Sequence, residues 1–217
     1  MKKTDQALVN YLARDELQAL LDAPDTSTVS GIRDRAMLHL AFAAGMRVSE
    51  LVGLRLDQVD RQGLATVHIV GKGRRERVLP LWKETAVAVK AWLKVRPAST
   101  APELFLNVRG QAMTRSGFEY ILAKHVTTAS RVAPSVASKR VSPHVLRHST
   151  AMHLLQSGVD LAVIALWLGH ENIQTTNVYI TADLASKERA LEKLEPIPGS
   201  FSRYQATDKL LAFLATL

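Results

Sequence analysis

The chain has 217 residues, 47% of them hydrophobic and 22% charged, a mix that supports a buried core and excludes a disordered segment. Its net charge of +8 favours a polyanionic partner, nucleic acid or an anionic surface. With no cysteine there are no disulfides, no thiolate metal ligands and no cysteine nucleophile, and no run approaches the about 18 apolar residues of a membrane span.

Taken in chain order, the sequence predicts helices with one break in period. Asp15–Asp22 has apolar residues at helical spacing and stops at Ala23-Pro24. Ser30–Gly45 shows a broad apolar face from Ile32 to Ala44, closed by Gly45, and a short helix over Val48–Leu54 follows. Ala65–Val70 and Arg75–Leu81 are β-branched or alternating, and the turn-like Gly71-Lys72-Gly73 between them makes a hairpin. Trp82–Val95 returns to helical spacing, and Thr114 is placed to cap a helix running to Ser130. Ala129–Ser142, rich in Ser, Ala and Pro with three basic residues and no acid, is expected to be a loop. Pro143–Ser157, Leu161–Leu168 and Ile173–Tyr179 form a helical series punctuated by Gly158 and Gly169. Leu184–Leu194 adds an amphipathic helix ending at the Pro196–Gly199 breaker, and the apolar Asp208–Leu217 needs a surface to cover it. The expected fold class is mainly α with a small antiparallel β-sheet (α+β).

The segment from Ser142 to Tyr179 carries the chemistry. His144 and Arg147 are three apart and share a helical face; His170 follows a Leu-Gly break; Tyr179 comes after the Thr175-Thr176 pair. A phosphodiester cleaved without a metal needs fixed cationic forks for the non-bridging oxygens, and arginine supplies them bidentately. It needs an in-line nucleophile, which a tyrosine hydroxyl near cations can be, and a proton for the departing oxygen from lysine or histidine. No metal and no ATP are required, because a phosphotyrosine linkage conserves the ester.

At these positions the sequence resembles the tyrosine recombinase (phage integrase) family, from about Leu12 to Leu194. The first arginine segment appears as AAGMRVSELVGL, the hairpin lysine in IVGKGRRERVLPL, the His-x-x-Arg pair in PHVLRHS, the later histidine in LGHENIQTT and the nucleophile in TTNVYI. The resemblance implies that Arg47 and Arg147 clamp the scissile phosphate with help from His170. It implies that Lys72 protonates the leaving 5′ oxygen, that His144 acts as acid or base toward Tyr179, and that a 3′-phosphotyrosyl intermediate forms at Tyr179. The implied activity is site-specific cutting and rejoining of double-stranded DNA, without metal or other cofactor, in a tetramer on DNA. Rival readings are a type IB topoisomerase-like relaxing activity and a catalytically weak DNA-binding accessory protein of the same fold.

Alternatives stay open at single residues. Lys72 in a Gly-Lys-Gly turn also reads as a solvated hairpin tip. His144, His148 and His153 have a spacing that invites a metal, but neither a metalloprotease glutamate nor a cysteine accompanies them, and no metal is expected. Glu50 either orients the Arg47 guanidinium or stabilises a helix N-terminus, and Asp34 is either a buried partner of Arg33 or half of a solvated pair. Arg74, Arg75 and Arg77 on the hairpin, with Arg131, Lys139 and Arg140, are expected to contact DNA phosphates.

The expected organisation is a catalytic domain over residues 1–198 and a C-terminal tail helix over 199–217. That tail either enters a neighbouring subunit in trans or folds back on its own domain. The N-terminal core-binding domain that relatives carry as a clamp is expected to be absent, and the setting is expected to be cytoplasmic, with no membrane partner.

Overall fold

A computed structural model of the chain describes residues 10–60, 63–71, 73, 75–170 and 175–176. Its elements run α1 (Arg14–Asp22), α2 (Val29–Ala43), α3 (Val48–Val52), β1 (Thr66–Val70), β2 (Glu76–Pro80), α4 (Lys83–Val95), α5 (Arg115–Ala129), α6 (Pro143–Gln156) and α7 (Leu161–Leu168). The helix starts follow local chemistry. The side chains of Thr28, Thr114 and Ser142 accept from the backbone N–H of Gly31, Gly117 and Val145, and Pro143 occupies the first turn of α6, where its missing N–H costs nothing.

The centre of the fold is α2. From Ala36 to Ala43 every residue is buried, so this helix has no solvent face over two turns. It packs against α1, α3, α4 and α6. Met37, Leu38 and Leu40 lie fully inside with Leu51, Leu54, Trp92, Phe105 and Phe118. The two strands pair antiparallel with Val70 opposite Glu76 and Thr66 opposite Pro80, and the turn between them closes through Gly71 N–H donating to Arg75 O at 2.7 Å. A smaller cluster of Ala151, Met152, Ile164 and Leu168 fastens α7 to α6.

The mainly α architecture with one small antiparallel sheet agrees with the sequence expectation, and the helix boundaries agree closely. The segment expected as a loop after α5 contains a 3₁₀ turn over Pro134–Ser138, because Val136 is drawn fully into the interior. Asp34 is buried: Arg33 donates to Oδ1 at 2.7 and 3.0 Å, His125 meets Oδ2 at 2.9 Å, and Arg33 also donates to Leu106 O. Burial alone would raise the Asp34 carboxyl, and the hydrogen bonds from His125 and Arg33 bring it below its ordinary range. Of the helix expected at Ile173–Tyr179, Thr175 and Thr176 are helical and the rest falls outside the described residues. The helix expected at Leu184–Leu194, the tail 199–217 and the boundary between them also fall outside.

Candidate active site

The site is built where α2, the hairpin, α6 and the end of α7 meet. Two glycines make that meeting possible. Gly45 takes φ +54° just after α2, and a β-carbon there would run into the side chain of Leu168. Gly169 takes φ +65°, and a β-carbon there would sit 3.0 Å from Arg77 Nη1. Gly169 ends α7 in a left-handed turn closed by His170 N–H donating to Ala165 O at 3.0 Å.

That turn leaves the last carbonyls of α7 pointing outward, where a helix C-terminus attracts cations. Arg147 on α6, only 5% exposed, fills one: its Nη2 donates to Leu168 O at 2.7 Å and its Nη1 to Gly45 O at 2.5 Å. Arg47, at the start of α3, fills the next: its Nη2 donates to Gly169 O at 3.2 Å. The Arg47 side chain remains 35% exposed, with its remaining donor surface toward the cleft.

Glu50 settles the alternative left open in the sequence by doing both things. Its Oε2 accepts from Arg47 N–H at 3.0 Å, capping α3, and its Oε1 accepts from Arg47 Nη1 at 2.9 Å. Arg77 from β2 grips the same carboxylate through both oxygens, Nη2 to Oε2 at 2.8 Å and Nη1 to Oε1 at 3.2 Å. Burial alone would raise the Glu50 carboxyl; the Arg77 fork and the two Arg47 contacts hold it below the usual carboxylate range, so it stays ionised.

His170 follows directly. Burial, reinforced by the charges of Arg147, Arg47, His148 and Arg77, pushes its imidazole down to about 4, so it is neutral at pH 7. Its Nδ1 is 2.7 Å from the hydroxyl of Thr176, itself fully buried. His148 is half-buried and shifted downward by burial and by His144 and Arg147, which places those two close by. His144 is exposed on the first turn of α6. His153 turns away: its Nε2 meets Leu12 O at 3.0 Å and its ring packs edge-on against Phe42.

These groups edge a cleft of about 940 Å³ whose lining includes Arg47, Arg75, Arg77, Arg115, His170 and Thr175. The described part of the site therefore brings Arg47, Arg147 and His170 onto one turn. Lys72, Arg74 and Tyr179 lie outside the described residues. Of the residues expected to contact phosphates, Arg75, Arg131 and Arg140 are exposed. Arg77 and Lys139 each hold an internal carboxylate, Lys139 through Glu16 at 2.5 Å. The internal place of Arg77 was readable: in β2 it alternates with Leu79, which is buried, so both share the inner face. Arg115, absent from the sequence expectations, comes to the cleft from the first turn of α5.

An arrangement of two clamped guanidiniums, a neutral imidazole and a cationic cleft is suited to binding a tetrahedral anion and stabilising charge that grows on its oxygens. The phage integrase family model matches residues 10–185. A putative integrase/recombinase of Sinorhizobium fredii, y4rC, is 47% identical over 216 residues, covering all of this chain and 65% of that protein. The tyrosine recombinase XerD of Listeria innocua is 40% identical over 183 residues, covering 82% of this chain and 59% of its own length. Among solved structures, XerH site-specific recombinase bound to palindromic difH substrate, a post-cleavage complex, superposes with a TM-score of 0.70 at 26% identity, over 89% of this chain and 55% of that one. This chain thus spans less than two thirds of the length of each of these relatives. With a family match over most of its length, the chain belongs to the phage integrase family.

Proposed function

We propose that the chain cuts and rejoins DNA strands at specific sites through a 3′-phosphotyrosyl intermediate at Tyr179, with neither metal nor ATP. The observation that carries this reading is the convergence of Arg47 and Arg147 on the carbonyls of Gly169 and Leu168, immediately before His170. A scissile phosphate docked against that turn meets two fixed forks and one imidazole, the charge pattern that a pentacoordinate phosphorane requires.

In the step itself the Tyr179 oxygen forms a bond to phosphorus, and the bond from phosphorus to the 5′ oxygen breaks. Lys72 donates the proton that the 5′ oxygen takes up, and His144 receives the phenolic proton. A 5′ hydroxyl from the partner strand reverses the step and releases Tyr179. Arg74, Arg75, Arg131 and Arg140 hold neighbouring phosphates and set register without reading bases. Exchange between two duplexes calls for a tetramer on DNA, with the tail 199–217 reaching a neighbouring protomer. The XerH structure, a post-cleavage complex with palindromic difH substrate, supports a duplex partner.

The test is covalent capture. Nicked duplexes tiled across the DNA flanking the chain's own gene are incubated with the protein, and adducts are resolved under denaturing conditions. A protease-sensitive 3′-linked adduct is expected; Tyr179→Phe is expected to abolish it while the same duplex still binds. An adduct that persists in Tyr179→Phe, or none with any duplex, overturns the reading.

A further inference from the structure

The Arg47 guanidinium has a carboxylate in contact with it, and this is a difficulty for an anion clamp. Glu50 lies 2.9 Å from Arg47 Nη1 and is 3% exposed, so its charge acts on Arg47 with little screening. Taken alone, that pair is neutral and would present no net charge to a phosphate. Arg77 changes the sum. One ionised carboxylate between two guanidiniums leaves a net charge of +1, and the fork of Arg77, only 10% exposed, occupies the carboxylate's second side. Arg47 keeps the exposed end of the triad; Arg77 takes the buried end.

The same guanidinium is also a spacer. A β-carbon on Gly169 would lie 3.0 Å from Arg77 Nη1 and 3.4 Å from its Cδ, and a β-carbon on Gly71 would lie 3.1 Å from Glu50 Oε1. Arg77 is therefore wedged between the α7 turn that carries His170, the carboxylate that holds Arg47, and Gly71 just after the end of β1. A tilt of the hairpin that moves β2 shifts the Arg77 fork against the Glu50 carboxylate, which α3 holds.

We infer that Arg77 is a positioning residue for strand cleavage: by neutralising and fixing Glu50 it frees the charge of Arg47 for the phosphate and ties the hairpin to the Arg47–His170 turn. This rests on the reaction proposed above. It assigns Arg77 a role inside the protein, in place of contact with DNA phosphates.

The test uses the full chain and whichever nicked duplex yields the adduct, with single-turnover cleavage and duplex affinity measured separately. Arg77→Gln is expected to slow cleavage by about 30-fold or more, while the dissociation constant for the duplex changes by less than about 3-fold. Adding Glu50→Gln to Arg77→Gln removes the uncompensated carboxylate and is expected to return cleavage by about 5-fold or more over the single variant. A purely structural Arg77 would give no such recovery, because the double variant loses more contacts than the single one. Arg77→Lys keeps the charge without the fork and is expected to fall between Arg77→Gln and the unaltered chain. If Arg77→Gln is not recovered folded, the double variant and Arg77→Lys carry the comparison. Cleavage by Arg77→Gln or Arg77→Lys at the unaltered rate, or a double variant as slow as or slower than Arg77→Gln, overturns the inference. An unaltered chain that forms no adduct overturns the proposed reaction instead.

Discussion

Arg47 and Arg147 are far apart in the chain but donate to the carbonyls of adjacent residues, Gly169 and Leu168, at the C-terminal end of α7. The end of one helix therefore serves as the template on which both guanidiniums are aligned. Its negative dipole end holds them, and the left-handed turn at Gly169 brings His170 alongside. The two arginines differ in how deeply they are committed. Arg147 is buried and ties α6 to both Gly45 and Leu168, whereas Arg47 is partly exposed and shares Glu50 with Arg77.

That difference predicts a split between stability and chemistry. Arg147→Ala leaves the buried carbonyls of Gly45 and Leu168 without their donors and should cost about 2–4 kcal/mol of unfolding free energy as well as cleavage. Arg47→Ala leaves Glu50 still forked by Arg77 and should cost less than about 1 kcal/mol, while lowering cleavage by roughly 100-fold or more. Denaturant titrations beside adduct yields decide it; equal destabilisation by the two substitutions would contradict the different commitments of the two side chains.

Burial shifts His39, His148, His153 and His170 downward, and two of them dominate the pH dependence. His170 and His39 are both depressed from 6.5 to about 4, chiefly by burial. Between those values the unfolded chain binds protons at both positions and the folded chain does not, so stability falls as pH drops from about 6.5 to about 4. Below that window the loss passes to the carboxylates held below their ordinary range, Glu16, Asp34 and Glu50. His39→Gln should flatten the upper part of this acid limb without altering anion binding. Imidazole titration by NMR should give a midpoint near 4 for His170 in the free protein and a higher one with inorganic phosphate added, since an anion favours the charged ring. A His170 midpoint that phosphate leaves unmoved would remove that ring from the anion site.

Much of this site was legible in the sequence because its residues come with local punctuation. Arg47 follows the Gly45 stop of a helix, Arg147 shares a face with His144, and His170 follows a Leu-Gly break; each feature is a short-range pattern that survives in one dimension. What was hidden depends on tertiary contact. Glu50 could be read as a cap or as an Arg47 partner, and only the approach of β2 shows that Arg77 completes it. The expectation that hairpin arginines face DNA treated the basic run as one surface, although alternation within β2 sends Arg77 inward with Leu79, while Arg75 precedes the strand and stays exposed. For α2 the apolar positions predicted one broad face, and burial on all sides arises because α4 and α6, distant in sequence, pack on it together with its chain neighbours α1 and α3.

The turn at Gly169 offers a prediction that tests the template itself. Alanine there must adopt φ near +65°, which costs about 1–2 kcal/mol for a residue with a β-carbon, and its methyl would press on Arg77 at 3.0 Å. The strain should be relieved by rotating the turn, which moves the Gly169 carbonyl away from Arg47 and His170 away from the hydroxyl of Thr176. Gly169→Ala should therefore lower unfolding free energy by about 1–3 kcal/mol and slow cleavage more than the stability loss alone explains. Gly158, which also has a positive φ but an open surrounding, provides the control: Gly158→Ala carries the backbone strain without the contact, and should lose stability while cleaving at the unaltered rate. Equal cleavage by the two variants would mean that the α7 turn does not set the geometry of Arg47 and His170.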